Sequence, residues 1–310
     1  MQEEELIHPV YLPFTASQLR QHFAPVARRT EEQLSNHIAY YVKSATRYRD
    51  FCLAYPDRNC LRLADLRIPC QIEKDERFWA AACWLRLYYA PDRVSLLCQI
   101  MSACFGPRPP IEGFGDWSEC FRGKLYLFLE PRLPSPHAYR TWLAAHIRER
   151  NLIPYVLAVG ARGGDAFETA THVDVLLLNE CNGFAVLIEA KVMSDVSLDV
   201  SFDVLRNQLA RTIDVAQEQN SSLLPPLRSR IPSKTLVVLQ TPELFKSNPS
   251  SRLYGWLFNE YSRSPDALAR DLPHRKELDW KAISTRLGWL TWENCNHCLA
   301  GSCQWLDTSR

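Results

Sequence analysis

Apolar and polar positions between residues 173 and 191 follow the pattern of a β-hairpin. Two apolar runs, Val173 to Leu178 and Phe184 to Ile188, are rich in β-branched and large side chains, which favour strands. Asn182-Gly183 lies between them, and this dipeptide is the strongest short-range signal for a hairpin turn. The chain is therefore expected to fold back on itself here as two antiparallel strands.

Three charged residues lie at the open end of this hairpin: Asp174 on the first strand, and Glu189 and Lys191 on the second. Side chains alternate between faces along a strand, so Glu189 and Lys191 point to the same side. A two-residue turn places Asp174 opposite Lys191, whereas a pairing shifted by two places it opposite Glu189. Either register brings two carboxylates and an ammonium group to one face, about 5 to 8 Å apart across the strands.

This combination of residues suits a divalent metal ion. Mg²⁺ prefers hard oxygen ligands and is usually held by one or two carboxylates, with water completing the coordination. A bound Mg²⁺ or Mn²⁺ lowers the pKa of its water and neutralises charge on a phosphate oxygen, and an adjacent lysine can orient or help deprotonate that water. Because buried charges must be paired or bind metal, two acids and a lysine at the end of an apolar strand indicate a functional site.

Apolar periodicity on both sides of the hairpin predicts an α/β core. An amphipathic helix is expected over residues 135–150 and a first strand over 152–161. After the hairpin, apolar residues recur near the helical period over 203–219, and 233–240 has the composition of a buried strand. The expected order is helix, strand, strand, strand, helix, strand.

In this order of elements, and in Asp174 and the Glu189-Ala190-Lys191 triplet, the segment from 137 to 245 resembles the catalytic core of the PD-(D/E)xK nuclease superfamily. The resemblance implies an α/β fold with a restriction-endonuclease-like core, in which helices flank a mixed central sheet. It implies metal binding by Asp174 and Glu189, catalysis by Lys191, and a contribution from Gln208, where many RecB-like members carry a glutamine. Val173 stands where the motif has proline, a substitution that the superfamily often shows.

The same resemblance implies a further acid on the first core helix, for which Glu149 is the candidate. Its neighbours Arg148 and Arg150 leave open that this is only a solvated helix end. Glu168 and His172 flank the entrance to the hairpin and compete for the same role.

Two arginines near the second predicted core helix are candidates for phosphate binding. Arg206 and Arg211 each carry the planar guanidinium group that contacts phosphate through two parallel hydrogen bonds. Ordinary surface charges are the alternative for both.

A proline-rich joint at residues 131–136 divides the chain. Residues 1–135 are expected to form a mostly helical N-terminal domain, with helices within 15–55, 75–90 and 92–105. Residues 136–245 are expected to form the nuclease-like core, followed over 246–310 by a C-terminal extension with helices near 251–261 and 279–292.

Charge and hydropathy limit the classes of protein to consider. A formal net charge of +1 over 310 residues argues against a generally basic surface, so a path for DNA would be a local groove. No apolar run approaches the length of a membrane helix, and the acidic start MQEEEL differs from a signal peptide. A cytoplasmic protein that does not contact membranes is expected.

The eleven cysteines lie mostly in apolar contexts, where reduced, buried thiols are the default. The exception is Cys295, Cys298 and Cys303, whose spacing suits Zn²⁺ or an iron–sulfur cluster. Some RecB-like nucleases hold such a cluster with a similar C-terminal trio and one distant upstream cysteine. Thiols packed under the last helix are the alternative, and candidates for a fourth ligand are His297, Cys52, Cys60, Cys70 and Cys120.

These features predict a Mg²⁺-dependent nuclease, a hydrolase that cleaves phosphodiester bonds of nucleic acid. DNA is the expected substrate, and by analogy with the superfamily the setting is genome defence, such as phage defence, or repair. The alternative from another class is a non-catalytic DNA-binding or scaffold subunit built on a degenerate nuclease fold. The intact Asp174, Glu189 and Lys191 favour the enzyme.

Overall fold

The computed structural model describes residues 4–23, 30–57, 60–62, 70–162, 167–197, 202–219 and 223–307. The strands within these ranges are β1 Leu6–His8, β2 Leu12–Thr15, β3 Leu125–Leu129, β4 Arg132–Leu133, β5 Thr171–His172, β6 Val175–Asn179, β7 Ala185–Ala190, β8 Thr235–Thr241 and β9 Leu287–Thr291. The α-helices are α1 Ala16–Gln21, α2 Glu31–Ala54, α3 Cys70–Glu73, α4 Glu76–Tyr89, α5 Arg93–Phe105, α6 Trp117–Phe121, α7 His137–Arg150, α8 Pro154–Gly160, α9 Gln208–Ala216, α10 Glu243–Ser247, α11 Leu253–Arg263, α12 Pro265–Asp271, α13 Trp280–Thr285, α14 Trp292–Cys298 and α15 Gln304–Asp307.

Five strands form one mixed sheet in the order β3-β6-β7-β8-β9. β6 is antiparallel to both β3 and β7, whereas β8 and β9 continue parallel to β7. The remaining strands pair as β1-β2 and β4-β5. The predicted α/β class, with a mixed sheet flanked by helices, is confirmed. The outer strands β3 and β9 come from residues on either side of the range 136–245.

Separate hydrophobic cores cover the two faces of this sheet, because side chains alternate along every strand. On one face, side chains of α4, α5 and α14 pack with Val186, Ile188 and Val238. On the other face, side chains of α9, α11 and α13 pack with Leu187 and Leu239. The central strands are therefore apolar on both sides, so a polar side chain at the end of one of them requires a specific partner.

The β6-β7 hairpin adopts the second of the two registers considered from the sequence, in which Val175 pairs with Ile188. The two-residue turn at Asn182-Gly183 does not form. The loop comprises residues 180–183, because it is closed by a hydrogen bond from the Asn179 N–H to the Phe184 carbonyl at 2.8 Å. The longer loop shifts the pairing by two, and this shift decides which residue faces Asp174.

The strand predicted over residues 152–161 is wrong. A helix, α8, occupies Pro154–Gly160, with its proline in the first turn, where the missing N–H has no helical partner to lose. The sheet takes its first strand instead from β3, a five-residue run that precedes the proline-rich joint. A short apolar segment fits a strand and a buried helix equally well, so periodicity did not separate them.

The helix predicted over residues 279–292 is wrong in its second half. Trp280–Thr285 is helical, but Leu287–Thr291 forms the edge strand β9, which is buried along its whole length. A strand covered on both faces is a continuous apolar run without the two-residue alternation that would identify it. The helix predicted over 203–219 is also shorter, since α9 begins at Gln208.

The other predicted elements are confirmed to within a few residues. α4, α5, α7 and α11 match the helices predicted at 75–90, 92–105, 135–150 and 251–261, and β8 matches the strand predicted at 233–240. The segment 15–55 contains α1 and α2. In the part of the chain that the structure describes, no helix combines the length and apolar character needed to cross a bilayer.

The hairpin loop requires glycine at position 183 for two reasons. Gly183 has a φ of 74°, in the left-handed region, and an added Cβ would lie 2.5 Å from the Ile231 side chain. We expect Gly183→Ala to lower the free energy of unfolding by about 2 to 5 kcal/mol in urea denaturation, through backbone strain and overpacking together. Gly113→Ala is the matched control, because Gly113 has a φ of 85° and open space around the added Cβ. This control should lower the free energy of unfolding by about 1 to 2 kcal/mol. Equal losses in the two variants would show that the clash with the Ile231 side chain adds nothing at position 183.

Candidate active site

Asp174 and Glu189 form a carboxylate pair at one end of the β6-β7 hairpin. Continuing the register by one position beyond Val175 and Ile188 places the two acids directly opposite each other. The Ala190 N–H donates to Oδ2 of Asp174 at 2.7 Å. Glu189 is fully buried and Asp174 is half-buried, so the pair reaches solvent on the Asp174 side.

Lys191 completes the group. Its Nζ donates to Oε1 of Glu189 at 2.8 Å, and the residue is only 6% exposed. The backbone of Lys191 is held from two directions. Its N–H donates to the Gln240 carbonyl at 2.8 Å, and its carbonyl accepts from the Trp292 indole at 3.0 Å. β8 and α14 therefore fix the position of the lysine relative to the carboxylates.

The helix α9 supplies two neutral partners for Glu189. Nε2 of Gln208 donates to Oε1 of Glu189, and Oγ1 of Thr212 donates to Oε2 at 3.3 Å. The two residues are four apart and so lie on one face of the helix. Asn207 caps α9 by accepting from the Ala210 N–H at 2.8 Å, which sets where the helix begins. Gln208 was a candidate from the sequence, whereas Thr212 was missed, although its spacing from Gln208 was a usable signal.

The electrostatics of the group favour an additional cation. Burial raises the pKa of Asp174 well above its usual value, the Glu189 carboxylate raises it further, and Lys191 offsets part of the effect. Burial opposes the charged form of Lys191, but the Glu189 and Asp174 carboxylates raise its pKa, so it remains an ammonium. Two acids therefore share one lysine, and the proton that Asp174 holds would compete with a divalent cation for the carboxylate pair.

A third acid, Glu76, approaches from the other side of the sheet and was not a candidate from the sequence. It is the first residue of α4, and its Oε1 accepts a hydrogen bond from the Ser194 hydroxyl. Its charge contributes to raising the pKa of both Asp174 and Lys191. Because Glu76 lies about a hundred residues before the hairpin, no local pattern connects the two.

Two of the predicted acid or histidine candidates are exposed. Glu149 lies exposed in the last turn of α7, and in the described ranges no hydrogen bond or ion pair joins it to Asp174 or Glu189. His172 is exposed on β5. The role of Glu149 stays a prediction.

The two arginines considered for phosphate binding pair with carboxylates instead. Arg206 is fully buried, with its guanidinium 3.1 Å from Glu168 and 2.8 Å from Asp214. Arg211 also pairs with Glu168, at 3.0 Å. Arg206 is thus neither a phosphate contact nor a surface charge, and Glu168 is committed to these ion pairs. No local sequence pattern indicates that Arg206 is buried, so these ion pairs cannot be predicted from the sequence alone.

The donor set at the hairpin fits Mg²⁺ or Mn²⁺. Asp174 and Glu189 offer hard carboxylate oxygens on one face, and a proton held by this pair is one that a divalent cation could replace. No group of three or more His, Cys, Asp and Glu side chains is arranged to hold a metal ion in the described ranges. A divalent ion here could have the two acids and water as ligands, which is a common arrangement for Mg²⁺.

The C-terminal cysteines gather around Cys83 of α4. The buried thiols of Cys295 and Cys303 each make a hydrogen-bonding contact with the Cys83 thiol. Burial raises the pKa of all three thiols. Nε2 of Gln240 donates to Sγ of Cys295 at 3.3 Å, so this thiol cluster touches the residue whose carbonyl holds Lys191.

The ligand set predicted from the sequence differs from this cluster. Cys298 is half-buried. Cys83 was not among the upstream candidates, and the side chain of one of them, Cys70, lies outside the described residues. Binding of Zn²⁺ or an iron–sulfur cluster by Cys295, Cys298 and Cys303 stays a prediction, which metal analysis of the purified protein tests.

Comparison of the chain with protein-family models, with curated proteins and with solved structures found no match.

The raised pKa of Asp174 has a consequence for stability. The native state holds the Asp174 proton more tightly than the unfolded chain, so stability falls as pH rises from about 4, the usual range of an aspartate. In EDTA at pH 7, Asp174→Asn should raise the free energy of unfolding by at least about 1 kcal/mol and flatten its dependence on pH. Asp266→Asn, at an exposed site on α12, is the control and should change neither. A less stable Asp174→Asn would contradict the raised pKa of Asp174, which arises from burial first and from the Glu189 carboxylate second.

Proposed function

We propose that this chain is a metal-dependent nuclease of the PD-(D/E)xK type that hydrolyses phosphodiester bonds of DNA. The convergence of Asp174, Glu189 and Lys191 at one end of β7 carries the proposal, with Lys191 2.8 Å from Glu189. Two carboxylates for a metal ion and an ammonium beside them are the groups that metal-assisted phosphoryl chemistry requires. Genome defence, including phage defence, or repair is the setting proposed with it.

The topology supports a restriction-endonuclease-like core. Three antiparallel strands, β3, β6 and β7, are followed across the sheet by two strands parallel to β7, and α9 connects β7 to β8. This arrangement puts the acid-x-lysine strand in the centre of the sheet, where neighbours on both sides hold its backbone. A rigid strand end of this kind keeps charged groups in a fixed geometry.

Each residue of the group has a part in the proposed reaction. Asp174 and Glu189 would hold Mg²⁺ or Mn²⁺, which when bound lowers the pKa of water and neutralises charge on a phosphate oxygen. Lys191 remains an ammonium and can donate a hydrogen bond to water or to a phosphate oxygen. Gln208 and Thr212 hold the Glu189 carboxylate in one orientation.

Glu76 is the better supported third acid. Its charge acts on both Asp174 and Lys191, whereas Glu149 is exposed at the end of α7. Nuclease activity should therefore fall in Glu76→Gln and be retained in Glu149→Gln. Loss of activity in Glu149→Gln, with activity retained in Glu76→Gln, would identify Glu149 as the third acid.

A nuclease assay with purified full chain tests the proposal. Linear, circular and single-stranded DNA, and RNA, would be incubated with Mg²⁺ or Mn²⁺. We expect cleavage by the wild type and none by Asp174→Ala or Glu189→Ala, because each removes a metal ligand. Lys191→Ala should keep metal binding but slow cleavage by roughly 10² to 10⁴, the scale of a lost acid–base or electrostatic group.

The chain contains a matched control for the lysine. Asp279-Trp280-Lys281 has the same acid-x-lysine spacing, but Lys281 is exposed on the helix α13 and does not lie at the end of a buried strand. Lys281→Ala should cleave as the wild type does. Full activity in Asp174→Ala would refute the assignment, and a wild type that binds DNA without cutting it would favour the scaffold alternative.

A further inference from the structure

A cavity of about 600 Å³ lies at the end of the sheet where β8 and β9 begin. Its walls come from the loop between α5 and α6, from residues 232–234 ahead of β8, and from residues 278–286 on and around α13. The carbonyl that holds Lys191 belongs to Gln240, six residues after Lys234. At about 3.3 Å per residue of strand, this is a distance of about 20 Å. The cavity is therefore separate from the Asp174 and Glu189 pair.

Arg286 lines this cavity and is only 8% exposed. Its guanidinium is held by neutral acceptors: Nη1 donates to the Pro232 carbonyl at 2.6 Å, and Nη2 donates to Oε1 of Gln217 at 3.0 Å. Burial lowers the pKa of Arg286, and the charge of Asp279 opposes this effect without forming an ion pair among the described residues. A buried charge is costly unless an opposite charge accompanies it, so an anion in the cavity would stabilise Arg286.

A second buried arginine, Arg230, shows a purely structural role for comparison. It is 4% exposed, and it donates to the carbonyls of Ala216 at 2.7 Å and Val215 at 3.0 Å. These carbonyls belong to the last turn of α9, where a cation is favoured by the helix end. Arg286 donates to one such carbonyl, that of Ala282 at 3.3 Å. Unlike Arg230, it also lines a cavity large enough for a ligand.

Lys234 is a second cation on the wall of this cavity. Its Nζ donates to the Asn182 carbonyl at 3.1 Å and lies 5.2 Å from the centre of the Phe114 ring. Neither partner is negatively charged. An ammonium has three N–H bonds and a guanidinium has five, so Lys234 and Arg286 each have at least one N–H left for another acceptor. Two such cations suit a phosphate group, which offers several charged oxygens.

The other walls indicate that the ligand is more than a bare anion. Ile111, Leu278 and Ile283 give the cavity an apolar side, and its volume lies within the range of small-molecule pockets. Glu112 and Asp279 also line the cavity, and both are exposed. Their charges oppose a long polyanion such as DNA, whereas their oxygens can accept hydrogen bonds from hydroxyl or amino groups of a small ligand.

We propose that this cavity binds a mononucleotide, with its phosphate at Arg286 and Lys234 and its base against the apolar side. The carboxylates of Glu112 and Asp279 would accept from ribose hydroxyls or from the amino group of the base. Each class of wall residue then has a matching part of the ligand. The binding involves no covalent step, and it does not depend on the proposed nuclease function.

Calorimetric titration of the purified full chain at pH 7 tests this proposal. EDTA in the buffer prevents a divalent ion at the Asp174 and Glu189 pair from binding phosphate. The probes are the four nucleoside 5′-monophosphates, the four nucleosides and inorganic phosphate. We expect a nucleotide to bind with a Kd of about 1 mM or lower. It should bind at least about tenfold more tightly than its nucleoside or inorganic phosphate, the scale of a lost charge-assisted hydrogen bond. No binding of any nucleotide, or no gain over inorganic phosphate, would overturn the proposal.

Three variants locate the bound nucleotide. Lys234→Gln should weaken its affinity at least about tenfold, and Arg286→Lys should weaken it because the forked donor is lost. Lys281→Gln is the matched control, because it makes the same charge change at an exposed position of α13 outside the cavity. It should bind as the wild type does. Since Arg286 also holds several segments together, circular dichroism would confirm that its variant is folded.

Two results with these variants would overturn the proposal. Unchanged affinity in folded Lys234→Gln and Arg286→Lys would place the nucleotide elsewhere on the protein. An equal loss in Lys281→Gln and Lys234→Gln would show that overall charge, and not this cavity, determines the binding.

Discussion

The pairing register of β6 with β7 is the constraint on which the candidate site depends. Side chains of a strand repeat every two residues, so a slip of one position would turn Asp174 and Glu189 to opposite faces of the sheet. Two features fix the register: the four-residue loop ending at Gly183, with its φ of 74°, and the burial of β7 between β6 and β8. In this register the Asp174 and Glu189 carboxylates face each other across the hairpin.

Two clusters of buried charged side chains flank α9, and they differ in how many cationic partners their acids have. Around Arg206, acids and cations match: Glu168 and Asp214 are met by several guanidinium groups. Around Glu189, one lysine faces two acids, and the partners contributed by α9 are neutral. Buried charge is tolerated where it is paired. Among the described residues, the Asp174 and Glu189 pair therefore has fewer cationic partners than the acids of the ion-pair network around Arg206, although both clusters involve the same helix.

Local rules made part of this structure predictable. Strand alternation predicts Glu189 and Lys191 on one face, because this rule acts within two residues. Gln208 followed only from the resemblance to the nuclease superfamily. A strand was predicted where α8 is a helix, and a helix was predicted where β9 is a strand. Short buried apolar runs have the same sequence pattern in both kinds of element. Two residues that come from distant segments had no local signal: Glu76, which acts on Asp174 and Lys191, and Cys83, which contacts the C-terminal thiols. Arg206 was misjudged because burial, which decides its partners, follows from the packing of the whole domain.

Binding of a divalent ion between Asp174 and Glu189 is the central claim, and anomalous diffraction from crystals soaked with Mn²⁺ tests it most directly. We expect a manganese peak in contact with both carboxylates, absent from crystals of Asp174→Ala. Lys191 should remain beside Glu189 in both. A wild-type crystal with no peak at these carboxylates under saturating Mn²⁺, or with a peak only elsewhere, would contradict the proposed metal site, because the two carboxylates would then not bind a divalent ion.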